Sequence, residues 1–282
     1  MRSLQAFALA LLATKRFAIA GLLAPGITFG GAKAARADPI GFVYSGGVFT
    51  TINPTGGPNG YGALPTGIND SGQIVGTVFP EPGFTYIPLL HDGGIARTFG
   101  ERGFVYSQGV SLPINIPGAD DIWPTGINDS GQIVGTYDTA GPVSNHNYIP
   151  APYSFLDTGG VITTVEGVSF TGINDSGQIV GNFFSCCIPG YQGPGYQGFL
   201  DTGGVFTTIN PPTYRGDVFP TGINDSGQVV GFFVNDTVDY GFEYTGGVFT
   251  MITPPGTYGA TGIESVLPTG INDSGQIVSI RS

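Results

Sequence analysis

The sequence predicts an all-β β-propeller, most simply of five blades with four antiparallel strands each. Three observations carry this: a motif of eleven residues that recurs five times, a second hairpin-like segment that recurs with it, and a spacing near fifty residues. The motif is Thr66-Gly67-Ile68-Asn69-Asp70-Ser71-Gly72-Gln73-Ile74-Val75-Gly76. Further copies start at Thr125, Thr171, Thr221 and Thr269, with Gly-Ile-Asn-Asp-Ser-Gly-Gln unchanged in all five. Counted from Gly67, the starts lie 59, 46, 50 and 48 residues apart. A period in this range marks a repeat architecture.

Within the motif, Ile68-Asn69 leads into Asp70-Ser71-Gly72 and Gln73-Ile74-Val75 leads out. This reads as strand, three-residue loop and strand, with glycine at the left-handed position that closes such loops. In that register Asn69 faces Gln73, Ile68 faces Ile74 and Gly67 faces Val75. Both sides carry apolar or very small groups, so both are expected to be covered.

The second segment precedes each motif. Its copies are Gly41–Ile52, Gly103–Ile114, Ser154–Val165, Gly198–Ile209 and Gly241–Ile252. The loop is Ser-Gly-Gly, Ser-Gln-Gly or Thr-Gly-Gly. Its last glycine (Gly47, Gly109, Gly160, Gly204, Gly247) never varies, which suits one obligatory left-handed residue. The flanks are rich in the β-branched and aromatic residues that favour strands. Phe42, Phe104, Phe155, Phe199 and Phe242 recur at one place and are expected to anchor the core. Two hairpins per repeat give the four strands of a blade. The chain begins its repeats with one hairpin type and ends with the other. Closure is therefore expected by pairing Gly41–Ile52 with Pro268–Ile280 in one blade, which removes exposed sheet edges.

Gly (49) and Pro (22) make up about a quarter of the 282 residues, but the glycines fall at fixed turn positions, which speaks for ordered turns. Residues 1–37 read as a signal peptide: Arg2, Lys15 and Arg16 are basic, Phe17 to Phe29 is apolar, and Ala35-Arg36-Ala37 offers a cleavage pattern. Residues 38–282 then form a single repeat domain. Those first 37 residues hold five of the nine basic residues and no acid. The remainder keeps four arginines against twenty acids, a net charge of −16. Such a chain repels nucleic acid and anionic membranes, and no later stretch is long and apolar enough for a helical span. The expected location is secreted, periplasmic or on a bacterial surface.

Length variation sits in the connections, where binding function is expected on a repeat scaffold. Phe79 to Arg102 is an insertion resembling a degenerate extra hairpin. Tyr137 to Tyr153 holds Asn145-His146-Asn147-Tyr148, and Phe183 to Gln197 holds Cys186-Cys187.

The pair Gly-Phe-Leu-Asp-Thr-Gly-Gly-Val-Phe-Thr-Thr-Ile and Gly-Ile-Asn-Asp-Ser-Gly-Gln-Val-Val-Gly resembles the bacterial extracellular repeats named for a His-Ala-Phe motif, the HAF repeats. The likeness covers nearly all of residues 41–278. The naming motif is replaced by Gly-Phe or Ser-Phe. The resemblance implies an exported repeat protein with a propeller fold; it implies no established activity, so no catalytic residues are carried over from it.

Five turn aspartates (Asp70, Asp129, Asp175, Asp225, Asp273), each two residues before a glycine (Gly72, Gly131, Gly177, Gly227, Gly275), fall at equivalent loops. Turn formation accounts for them. The rival is a calcium ion per turn, but Gln, Ile or Val, and Val stand where a later carboxylate ligand belongs. No cofactor or metal is otherwise expected. Asn-Asp-Ser also reads as a glycosylation acceptor, which tight-turn geometry explains more simply. Cys186 and Cys187, the only cysteines, would form a strained ring, an intermolecular link or two thiols. Only two histidines exist, His91 and His146, and nothing resembles a nucleophile elbow.

Seven aromatics lie in or beside connections: Trp123, Tyr148, Tyr153, Tyr191, Tyr196, Tyr214 and Tyr258. They either pack blade on blade or stack on sugar rings. The expected function is a non-enzymatic surface or matrix module, carbohydrate-binding in its more specific form. The alternative is a polysaccharide-active glycoside hydrolase, which needs two carboxylates facing across a cleft.

Overall fold

The computed structural model describes residues 17–18, 41–45, 47–52, 62–78, 101–139, 153–185, 195–211, 216–235, 238–253, 258–259, 262–263 and 265–281. It begins with a three-stranded sheet of β1 (Phe17–Ala18), β2 (Gly41–Ser45) and β3 (Val48–Ile52). Four sheets of four strands follow. The first contains β4 (Ala63–Ile68), β5 (Ile74–Val78), β6 (Arg102–Ser107) and β7 (Val110–Pro113). The second contains β8 (Asp121–Ile127), β9 (Gln132–Asp138), β10 (Tyr153–Thr158) and β11 (Val161–Glu166). The third contains β12 (Val168–Ile173), β13 (Ile179–Ser185), β14 (Gly195–Thr202) and β15 (Val205–Ile209). The fourth contains β16 (Val218–Ile223), β17 (Val229–Asn235), β18 (Val238–Thr245) and β19 (Val248–Ile252). A short pair, β20 (Tyr258–Gly259) and β21 (Gly262–Ile263), precedes the last hairpin, β22 (Val266–Ile271) and β23 (Ile277–Arg281). Among the described residues every pairing is antiparallel between sequence neighbours, and no sheet contains a crossover. Meandering four-stranded blades of this kind, repeated side by side, make the protein a β-propeller.

Each blade consists of the motif hairpin followed by the Gly-Phe hairpin. The motif register is the one expected from the sequence: Gly67 opposes Val75 and Ile68 opposes Ile74. The Gly72 N–H bonds the Asn69 carbonyl at 3.0 Å, and Gly72 has φ +75°. The other hairpin departs from expectation. Ser45 pairs with Val48 and Ser107 with Val110, so the loop has two residues rather than three. Both are left-handed where described: Gln108 at 50° and Gly109 at 86°, Gly203 at 62° and Gly204 at 88°. Two-residue loops with this twist match the twist of the strands they join.

A bulge sits before each motif turn and leaves Thr66, Thr125, Thr171, Thr221 or Thr269 as the extra residue. The bulge turns the Thr hydroxyl toward the next blade. Thr66 donates to the Pro124 carbonyl at 2.6 Å, Thr125 to Phe170 at 2.9 Å, Thr171 to Pro220 at 2.8 Å and Thr221 to Pro268 at 2.8 Å. The motif hairpins therefore stand side by side about a common centre. A Cβ on Gly67 would lie 3.3 Å from the Gly126 Cα, and the sequence continues through Gly126 to Gly172 and Gly172 to Gly222 to a 3.4 Å approach of Gly222 to Gly270.

The core lies between blades. Val75, Ile122, Ile127, Ile133 and Phe155 join the first two blades. Val134, Phe170, Ile173, Ile179 and Phe199 join the next pair, and Val180, Ile209, Val218, Val229 and Phe242 the next. Phe104, Phe155, Phe199 and Phe242 are buried anchors as expected, whereas Phe42 is only half-buried because its hairpin lacks a motif strand beside it. A second fit recurs at the blade boundaries. Gly41, Gly103, Gly198 and Gly241 lie against Pro65, Pro124, Pro220 and Pro268. One boundary uses Ser154 and Phe170 instead. Proline has no N–H, but Phe170 has one, and the Ser154 hydroxyl accepts it at 2.9 Å while donating to the Val168 carbonyl at 2.8 Å.

The expected five complete blades and closing pairing are not what the structure shows. Four blades are complete, and the halves at either end, β1-β2-β3 and β22-β23, form separate sheets. Two physical reasons are visible. The edge of β2 that β23 would join is taken by Phe17 and Ala18, paired with Tyr44 and Val43. The motif's last glycine is also replaced by Ser279. At the corresponding Gly76, Gly135, Gly181 and Gly231, a Cβ would fall 2.1–2.3 Å from a backbone carbonyl and under 3 Å from a Phe anchor ring. A Cβ on Gly270, at the outer face of the last hairpin, meets nothing within 4 Å.

Candidate functional site

Antiparallel meanders place all tight turns at one end of the blades and the variable connections at the other. The motif and Gly-Phe turns are tied together at the turn end: Gln132 Nε2 donates to Thr158, Gln178 Nε2 to Thr202 and Gln228 Nε2 to Glu243.

At the turn end the five motif loops surround one depression of about 220 Å³, lined by the Ile and Asp of every copy and by the Asn of every copy but the fourth. Four of the five Asn side chains connect their own turn to the next blade. Asn174 Oδ1 accepts the Gln178 N–H at 2.9 Å, and its Nδ2 donates to Gln178 Oε1 at 2.9 Å and to the Asn224 carbonyl of the next blade at 3.0 Å. Asn69, Asn128 and Asn224 repeat this onward bond. The aspartates form a parallel series. The backbone N–H of Asp70 donates to the Asp129 carboxylate, Asp129 to Asp175, Asp175 to Asp225 and Asp225 to Asp273, at 2.7–2.9 Å. The turn aspartates thus act as links between blades as well as turn formers. Among the described residues, no three His, Cys, Asp or Glu side chains converge on a point that could hold a metal ion.

The carboxyl of Asp175 is raised above its ordinary value of 3.8, first by partial withdrawal from solvent and then by the neighbouring charges of Asp225 and Asp129. The hydrogen bond from the Asp129 amide opposes this. A raised folded value means the folded state holds the proton more readily than the unfolded chain. Ionised Asp175 therefore costs stability, and the cost disappears as pH falls through the raised value. Asp175→Asn keeps an acceptor for the Asp129 amide. Its stability relative to the parent is expected to improve as pH rises from below 3.8 to neutrality, read by thermal melts at a series of pH values. A pH-independent difference would refute this.

At the loop end, Trp123 on β8 donates its indole N–H to the Glu101 carboxylate. Tyr153 on β10 stacks on Tyr137 at 5.4 Å between ring centroids. Tyr196 on β14 lies edge-on to its cross-strand partner Phe184 at 5.4 Å and tilted against Phe219 at 5.4 Å. Phe219 in turn stacks on its partner Phe232 at 5.2 Å. This gives a four-ring ladder across the boundary between the third and fourth blades. Phe184 is 58 % exposed, and the other three are half-buried. Tyr148, Tyr191, Tyr214, Cys186, Cys187, His91 and His146 lie outside the described residues, and of Tyr258 only the backbone pairing in β20 is described.

Sequence reasoning found Tyr196 but missed Phe184, Phe219 and Phe232. Aligning the repeats on their own motifs would have exposed them. Phe219 stands where the other copies have Leu64, Trp123, Ser169 and Leu267; Phe232 where they have Thr77, Thr136, Asn182 and Ile280; Tyr196 where they have Pro39, Glu101, Pro152 and Asp239.

The acids at this end are used to fasten blades. Asp121 Oδ1 accepts the Glu101 N–H at 2.6 Å and Asp217 Oδ1 the Tyr196 N–H at 2.8 Å. Ser265 plays the same part for the Asp239 N–H at 3.1 Å. No helix among the described residues is long and apolar enough to cross a membrane.

No family model matches the chain, and no curated protein does. Among solved structures, the chain is similar to the β-propeller domain of the Trilobed protease from Pyrococcus furiosus, at 12% identity and a TM-score of 0.45, over 76% of this chain and 61% of that one. It is also similar to Pyrococcus horikoshii acylaminoacyl peptidase, at 14% identity and a TM-score of 0.45, over 74% of this chain and 33% of that one. A protein of unknown function from Dyadobacter fermentans DSM 18053 matches at 12% identity and a TM-score of 0.43, over 84% of this chain and 79% of that one. The chain thus spans less than two thirds of the two peptidase chains.

Proposed function

We propose that this chain is an exported, non-enzymatic repeat module of the HAF type whose loop-bearing end contacts a polysaccharide or another surface or matrix component. One observation carries the reading. The repeats are nearly invariant at the turn end, where side chains link blade to blade, and depart from one another at the loop end, where Trp123, Tyr153 and the Tyr196 ladder lie. The acidic composition favours solubility and an uncharged target over nucleic acid. A glycan array probed with the full chain tests it: binding to a glycan class supports the module, and a blank array removes the carbohydrate reading. Turnover on a polysaccharide panel, abolished by one carboxylate substitution, would replace it with the hydrolase.

The same proposal includes a five-position ring in the mature protein, in which β23 pairs with β2 once residues 1–37 are gone. Two facts support it. The first and fifth motif turns line one depression, and Gly41 already sits on Pro65 as Gly103 sits on Pro124. Transferring the register of β5 on β6 puts Ile277 opposite Tyr44 and Val278 opposite Val43. Ser279→Gly would restore the space that takes a Phe anchor in the other blades. It is expected to raise Tm by a few degrees and slow amide exchange along β23. A lower Tm with unchanged exchange would remove the ring.

A further inference from the structure

We infer that the ladder Phe184–Tyr196–Phe219–Phe232 is a stacking subsite for an uncharged polysaccharide chain; this rests on the reading above and names its ligand class and place. The repeats serve as internal controls. At the positions concerned the other copies carry Leu64, Trp123 with Glu101, Ser169, and Leu267 with Asp239. Apart from Trp123, none of the other copies carries an aromatic ring at the positions of Tyr196, Phe219 and Phe232, so packing does not demand a row of rings there. The four rings are contiguous at 5.2–5.4 Å and come from both blades; Phe184 is exposed, and Tyr196, Phe219 and Phe232 each keep part of their surface in solvent. A contiguous aromatic row that reaches solvent suits sugar rings, whose C–H faces stack while their hydroxyls stay hydrated.

Charge narrows the ligand further. The Asp217 carboxylate lies 2.8 Å from the Tyr196 amide at the middle of the ladder, in a chain of net charge −11. An anionic polymer, nucleic acid included, would approach against that field. An uncharged one would not, and its binding should be insensitive to salt.

The test is native affinity electrophoresis of the full chain through gels containing hydroxyethylcellulose or galactomannan, with polygalacturonate as the anionic control. Two variants are run beside the parent. Phe184→Ala removes the most exposed ring. Phe219→Leu/Phe232→Thr installs the residues that the first repeat carries at the same positions, Leu64 and Thr77, so the blade keeps a pairing its own scaffold already uses. The expected result is salt-insensitive retardation of the parent by a neutral polymer. The double variant should weaken it at least about tenfold and Phe184→Ala several-fold, as loss of one or two stacking faces implies, with Tm little changed. Retardation equal in parent and variants would overturn the subsite while leaving the broader reading intact. Retardation only by polygalacturonate would overturn the ligand class. No retardation in any gel would also overturn the inference, and the array then decides separately whether the carbohydrate reading falls with it.

Discussion

Gly181→Ala is expected to destabilise the domain by about 3 kcal/mol or more, enough to leave much of it unfolded. The added Cβ would lie 2.1 Å from the Ser169 carbonyl oxygen and 2.7 Å from Phe199 Cζ. Neither can give way. Ser169 belongs to β12, paired with β13 through residues on either side of the clash. Phe199 is fully buried and touches Phe170, Phe183 and Phe206 at ring separations of 6.1, 6.4 and 4.9 Å. Gly270→Ala is the control. It lies one β-strand position from its own motif turn, has no positive φ, and has open space where the Cβ would go. It should be neutral, or stabilising by about 0.5 kcal/mol through the unfolded chain. Urea melts of the two variants decide the matter. Equal effects would mean that glycine is retained for its backbone freedom and not for its lack of a side chain.

Asn174→Ala is expected to cost about 3 kcal/mol, against about 1 kcal/mol for Asn272→Ala. Both residues have the same neighbours in sequence, so the difference isolates the bond between blades. Asn174 is 3% exposed and makes three hydrogen bonds, one of them across to the Asn224 carbonyl. Its loss leaves buried groups of Gln178 and Asn224 without partners, and an orphaned buried group costs more than a bond is worth. Asn272 bonds Gln276 and Ser274 in its own turn, at an exposed site, with no onward bond to a described residue. Denaturant midpoints measured at equal m-value provide the comparison. Equal losses would assign the motif to turn formation alone.

The parts of the fold set by local chemistry were legible in the sequence. Gly72, Gly109 and their equivalents announce where the chain must turn, and the Phe at the head of each second hairpin announces what is buried. The motif register followed from loop length alone. The Thr bulge was not legible. Thr66 reads as an ordinary strand residue until the next blade supplies the Pro124 carbonyl that its hydroxyl seeks. The same holds for the aspartates, whose second role requires a neighbour's amide. Ser279, a single departure from the glycine of the other copies, was passed over in the sequence. At the loop end, Trp123 and Tyr196 were visible as aromatics beside connections. Phe184, Phe219 and Phe232 were hidden because a phenylalanine in a strand ordinarily means core.

The Thr, Asn and Asp bonds all point the same way, from each repeat to its successor. The assembly therefore has polarity, like a queue in which every member holds the one in front. A repeat in the middle is gripped from both sides, whereas Thr269 and Asn272 of the fifth copy bond within their own hairpin. Loosening one repeat should accordingly be felt first by the repeats on either side of it, in the manner of an array coupled only to nearest neighbours. Inserting one more unit between two repeats would then reuse the same three bonds without creating a new kind of junction.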